Sequence, residues 1–125
     1  MFLIDTASRQ PVYEQIVTQT EELILKGILK PGDKMPSVRN LSLTLGINPN
    51  TIQKAYSELD TRGLIYSQPG KGCFVSENAN ANASKSKKKS LGALTDLISD
   101  LKLAGVSLDE IVGIAEEIYK GGDER

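Results

Sequence analysis

Asn50, Gln53, Lys54 and Ser57 recur at the spacing of one helix face, and their chemistry suits contact with another molecule's polar edges. Asn and Gln each carry a donor beside an acceptor and can bond adenine two-handed, while Lys supplies a point charge. No carboxylate interrupts this face, and Glu58 and Asp60 come only in later turns. Asn48 followed by Pro49 is a helix start. Such an end presents free N–H groups and partial positive charge to a phosphate. Arg39 falls in the first turn of a preceding helix and could reach either a phosphate or a guanine edge. Lys71 stands between Gly70 and Gly72, where the backbone can approach a ligand closely. Each of these also has a plainer reading, as a solvated face, a surface ion pair or an ordinary turn.

Most other chemistry is excluded. The 125 residues contain no His, no Trp and one Cys. There is no imidazole for acid–base or nucleophilic work, no His-based metal site, and no thiolate cluster. Asp and Glu are scattered along polar helix faces, so no paired-carboxylate site is expected. The expectation is therefore no catalytic residue, no metal and no cofactor. Cys73 reads as a buried small apolar residue on a short strand, and Tyr56 as core. A single Cys fits a reducing compartment. No apolar run is long enough to cross a membrane, and Met1–Gln10 lacks a signal-peptide layout. The expected location is the cytoplasm.

The elements that would hold the polar face follow from periodicity and punctuation. Pro11 suits the first position of a helix carrying Val12, Ile16, Leu23 and Ile24, which Gly27 ends. Ser37 can cap a second helix with Val38, Leu41 and Leu45 on one side, and Gly46 closes it. Only Ile47 separates that stop from the next start. The third helix stacks Ile52, Ala55, Tyr56 and Leu59 inward, and Gly63 stops it. Leu64–Ser67 and Cys73–Ser76 read as strands around a Gln68–Gly72 turn. Two helices joined by a short Gly-containing turn, then a Gly-tipped hairpin, predict a winged helix-turn-helix.

The composition changes at residue 78. Asn78–Ser90 has no large apolar residue and reads as a linker, with a partly helical form as the alternative. The expected domains are thus 1–77, a linker at 78–90, and a helical hairpin at 91–125. In the hairpin, Leu91, Leu94, Leu97, Ile98 and Leu101 share one helix face. Ser107-Leu108-Asp109-Glu110 is a capping box opening a second helix, with Leu108, Ile111, Val112, Ala115, Ile118 and Tyr119 on its apolar face and Gly121-Gly122 at its end. So short a hairpin cannot bury these faces itself. They are expected to pair with a second copy, the alternative being a fold-back onto the chain's own body. The fold class is mainly α with a small β-hairpin wing. Charge is balanced: residues 1–77 hold 8 basic and 8 acidic side chains, and 78–125 hold 7 and 8. Any basic surface must come from arrangement. This balance leaves open a second reading, a module that binds protein rather than DNA.

Taken together, Pro11-Val12-Tyr13-x-Gln15-Ile16, Gly27-x-Leu29-x-Pro31-Gly32-x-Lys34-Met35-Pro36-Ser37-x-Arg39-x-Leu41, Asn50-Thr51-Ile52-x-x-Ala55-Tyr56-x-x-Leu59-x-x-x-Gly63-Leu64-Ile65 and Gly70-x-Gly72-x-Phe74-Val75 resemble a GntR-family winged-helix regulator. The resemblance covers about residues 9–76. Where family members commonly carry Ser or Thr, this chain has Asn48 and Pro49, and Gln53 stands where a basic residue is frequent. The short tail is similar to that of the YtrA-like subfamily. The resemblance implies DNA contacts at Ser37, Arg39, Asn48, Asn50, Thr51, Gln53, Gly70 and Lys71, to which the helix face above adds Lys54. It also implies a homodimer on a two-fold-symmetric operator, acting as a repressor of a transporter or cell-envelope operon. An effector, if there is one, is unidentified, and the tail is too short to enclose a pocket for it.

Overall fold

The computed structural model describes residues 1–121. Its elements are α1 (Val12–Leu25), α2 (Val38–Leu45), α3 (Pro49–Thr61), β1 (Ile65–Gln68), β2 (Gly72–Val75), α4 (Ala79–Lys88), α5 (Leu91–Leu103) and α6 (Leu108–Gly121). Gly122, half of the expected stop after α6, lies outside the described residues. Met1–Ser86 forms one compact unit and the chain from Lys87 a second.

In the first unit the apolar stripes of α1 and α3 meet. Ile16, Val17 and Ile24 pack with Ile52, Ala55, Tyr56 and Leu59, and Leu41 of α2 joins them. Pro11 is the N-cap of α1 and not its first helical residue, since its ψ of 149° is extended. The capping expectations for α2 and α3 hold: Ser37 Oγ accepts from Asn40 N at 3.0 Å, and Asn48 Oδ1 accepts from Asn50 N at 2.8 Å. Gly63 ends α3 with φ +75°, a conformation costly to any residue with a Cβ. Around it Gly63 N donates to Asp60 O and Leu64 N to Leu59 O, each at 2.9 Å. This paired closure brings the fully buried Leu59 and Leu64 to the same place.

β1 and β2 pair antiparallel from Ile65↔Val75 to Gln68↔Gly72. The segment before α2 pairs along the far side of β2, a contact that the sequence pattern does not announce. Gly32 N donates to Val75 O, Val75 N to Asp33 O, and Met35 N to Cys73 O, each at 2.8 Å. The wing is thereby fixed to the chain that leads into Ser37. The N-terminal segment is held on α1 by two glutamines. Gln15 exchanges hydrogen bonds with the backbone of Asp5, and Gln19 with that of Leu3, while Phe2 is buried.

Of the two readings of 78–90, the structure has the helical alternative and not an unstructured linker. Residues 79–88 are helical, and Ala79 and Ala83 are fully buried in the first unit. Asn80 Nδ2 donates to Ile24 O at 3.3 Å and Asn82 Nδ2 to Gly63 O at 2.8 Å. Small side chains and amides read as linker composition because none is a large hydrophobe. Here Ala is what a close helix approach requires, and Asn meets carbonyls at the ends of α1 and α3.

The second unit contains α5 and α6. Ser107 and Glu110 form the expected reciprocal capping box, with Glu110 N donating to Ser107 Oγ at 3.1 Å. Leu101 and Ile111 are half-buried, and neither helix has a fully buried residue. Leu91, Leu94, Leu97, Ile98, Leu108, Val112, Ala115, Ile118 and Tyr119 are exposed, as are Leu103 and Ile114, which sequence periodicity did not single out.

Candidate nucleic-acid interface

The helix-turn-helix is built by α2, a tight turn and α3. Gly46 adopts φ +66°, Ile47 N donates to Ser42 O, and the buried Ser42 returns its hydroxyl to Ile47 O. Ser42 is a polar residue that only the turn geometry explains, because its hydroxyl satisfies a carbonyl that no helix can reach. Tyr56 is the second such anchor. Its hydroxyl donates to Pro36 O at 2.6 Å, which ties α3 to the start of α2. Burial, reinforced by the nearby Cys73, raises this phenol above its ordinary range, so it stays a donor. Tyr56 is core, as expected.

Outward from these anchors, six of the nine residues singled out from sequence line two open grooves. Ser37, Gly70 and Lys71 line one open groove between the start of α2 and the wing. Asn50, Thr51 and Lys54 line a second, beside Pro11, Val12 and Tyr13 at the start of α1. Arg39 is exposed in the first turn of α2 and makes no ion pair among the described residues. Gln53 is exposed and donates weakly to Ser57 Oγ at 3.4 Å, a contact easily exchanged for a ligand. Asn48 is exposed too, but its carbonyl oxygen is already used by the cap. What remains to it is its NH2 group, and to Ser37 its hydroxyl proton. Both are donors, which is the polarity a phosphate requires.

Two participants stand in the family pattern, but the sequence assigned neither of them a role. Tyr13 places its ring under Lys54, with the ammonium 4.1 Å from the ring centroid. That contact limits where the ammonium can go. Lys34 lines the wing groove with Ser37 and Lys71. Its role is set by the pairing of residues 32–35 with β2, so periodicity alone gives no hint of it. Cys73, expected to be buried, is half-buried in the same groove, with Sγ 3.3 Å from Ser67 Oγ.

Behind the interface, Arg62 at the end of α3 holds the body together. Its Nη1 donates to Glu21 Oε2 at 3.1 Å and its Nε to Glu58 Oε2 at 2.8 Å, and Nη1 lies 3.4 Å from Ser86 Oγ. Burial alone would lower this guanidinium's pKa, but the hydrogen bonds to Glu58 and Glu21 outweigh it and raise the pKa. A basic residue and two acidic ones are thus consumed on the side away from the polar start of α3. That is how a chain with no net basic excess leaves Arg39, Lys54, Lys71 and Lys34 available.

Known proteins share both the pattern and the fold. Residues 12–75 match the family model for bacterial regulatory proteins, gntR family. The chain is 45% identical over 126 residues to the HTH-type transcriptional repressor YtrA of Bacillus subtilis (strain 168), covering 98% of this chain and 97% of that one. The crystal structure of a transcriptional antiterminator from Listeria monocytogenes EGD-e superimposes with a TM-score of 0.80 at 38% identity, covering 95% of this chain and 90% of that one. The DNA-binding domain of AraR, solved with operator ORX1, superimposes with a TM-score of 0.54 at 30% identity, covering 61% of this chain and 95% of that one. A family model spanning half of the residues and a full-length relative agree with the wing, the turn and the polar helix face: the chain belongs to the GntR family and is a DNA-binding transcriptional regulator, not an enzyme.

Proposed function

We propose that this regulator is a homodimeric repressor that reads a two-fold-symmetric operator. One observation carries the reading: α3 has a polar, carboxylate-free first half, held outward by a buried stripe. In this assignment Asn50, Gln53 and Arg39 address base edges. Ser37, Asn48, Thr51, Lys54, Gly70 and Lys71 address the backbone. Residues 1–77 supply the reading head. The exposed apolar faces of α5 and α6 supply the dimer contact through Leu91, Leu94, Leu97, Ile98, Leu101, Ile111, Val112, Ala115 and Ile118. Apolar faces of this extent are uncommon on an isolated soluble hairpin, which supports a second copy as their partner. Half-sites then lie about one helical turn (~34–36 Å) or a multiple apart. The likeness over nearly the full chain to a protein named as the transcriptional repressor YtrA supports repression, and the target, an operon for a transporter or a cell-envelope response, is carried over from the subfamily resemblance. The alternative of a protein-only module loses its basis, since the charge balance is explained by where the charges lie.

Selection of bound fragments from a random duplex pool tests this. A palindromic consensus is expected, bound by two chains at about 150 mM salt. No preference over random duplex, or occupancy by a single chain, overturns it. Raised transcription of the genes beside the matched genomic site, on deletion of this regulator, checks repression.

A further inference from the structure

The wing groove contains a second cation, Lys34, to which the sequence pattern assigned no role. Lys34 lies in the segment paired with β2, with a bridge to Phe74. Its side chain is exposed and makes no ion pair among the described residues. The stem runs directly over Gly72: a Cβ built there would meet Lys34 Cε at 3.1 Å and Nζ at 3.9 Å. Gly72 also has φ +117°, a conformation that side chains rarely adopt. The backbone conformation therefore favours glycine at this position, and the bare backbone is what the lysine crosses. The backbone under the lysine is pinned by the 2.8 Å bond from Met35 N to Cys73 O. The ammonium is thus delivered to a groove shared with Ser37, Gly70 and Lys71.

We infer that Lys34 is a backbone-phosphate contact of the operator complex, laid across Gly72 so that the wing presents two cations, Lys34 and Lys71, instead of one. This rests on the DNA-reading face proposed above. A cation fixed at a groove wall, with no acidic partner to neutralise it, contributes through counterion release and carries no base information. The loss on its removal is therefore the same for every sequence.

The test compares full-length wild type, Lys34→Met and Lys34→Arg on a selected palindrome and on a shuffled duplex, across a salt series. Met keeps the stem over Gly72 and removes the charge. The expected result for Lys34→Met is a loss of about fivefold near 150 mM salt on both duplexes, with the slope of log K against log salt smaller by about one. Lys34→Arg should keep the wild-type slope. A wild-type slope in Lys34→Met, with thermal melting unchanged, overturns the assignment. So does a loss confined to the palindrome, which would make Lys34 a base reader. Failure of wild type to prefer the palindrome is a separate outcome, seen without any variant, and removes the underlying reading together with this one.

Discussion

Arg39 and Lys71 are both exposed cations, yet they should respond differently to removal. Arg39 and Gln53 face base edges in the proposed complex, and a lost two-handed contact costs about 1–3 kcal/mol against the matched base alone. Arg39→Ala and Gln53→Ala should therefore change which bases are preferred in a repeated fragment selection. Lys71→Ala should weaken all duplexes alike, and equal loss across sequences for all three would contradict the assignment. Arg62 is a residue of stability, not of recognition. Its carboxylate partner Glu21 has a side chain 4% exposed, while Arg62 itself is 36% exposed. Solvent screening of the arginine brings the expected cost of Arg62→Ala to about 1–3 kcal/mol, below that for a fully buried pair. Urea denaturation measures it, and a change under ~0.5 kcal/mol would show that the network is ornamental to the fold.

At the scale of elements, α4 is where composition and structure part. Asn78–Ser90 contains no residue that would bury in isolation, so a linker is the natural expectation. Yet Ala79 and Ala83 are fully covered, and the amides of Asn80 and Asn82 find carbonyls of Ile24 and Gly63. The approach is close enough that a Cβ on Gly63 would stand 2.7 Å from Asn82 Nδ2. Ala83→Leu should overpack this contact and cost about 1–3 kcal/mol of unfolding free energy. The same change at exposed Ala81 should alter it by less than about 0.5 kcal/mol. Equal effects at 81 and 83 would mean that α4 does not pack in solution as described. The other elements were legible because their signals are local. Ser37 and Asn48 cap, Gly27, Gly46 and Gly63 stop, and each apolar stripe declares its inner face. The third participant in the wing was not legible, because residues 32–35 pair with β2 through backbone groups that every residue has.

For the whole molecule, the consequence of the proposed dimer is geometric. Two heads on one operator convert the second contact into an intramolecular event, which raises affinity without new contacts. Leu94→Glu combined with Ile118→Glu should yield a monomer in sedimentation experiments at micromolar concentration. Palindrome affinity should drop by at least tenfold, while affinity for an isolated half-site is kept. Retained palindrome affinity in a proven monomer would remove pairing from the mechanism. The amino-acid sequence by itself determined every helix but α4, the caps of α2, α3 and α6, the wing and the polar face of α3, since periodicity and turn chemistry act over a few residues. It also excluded imidazole and thiolate-cluster chemistry, since the chain has no His and one Cys. Only the tertiary structure decided that Asn78–Ser90 is largely helix, that Tyr13 sits under Lys54, that Lys34 crosses Gly72, and that Arg62 draws acidic groups to the back of the body. Those depend on which distant segments meet, and the small, amide and charged residues involved acquire their roles only from the surface they are pressed against.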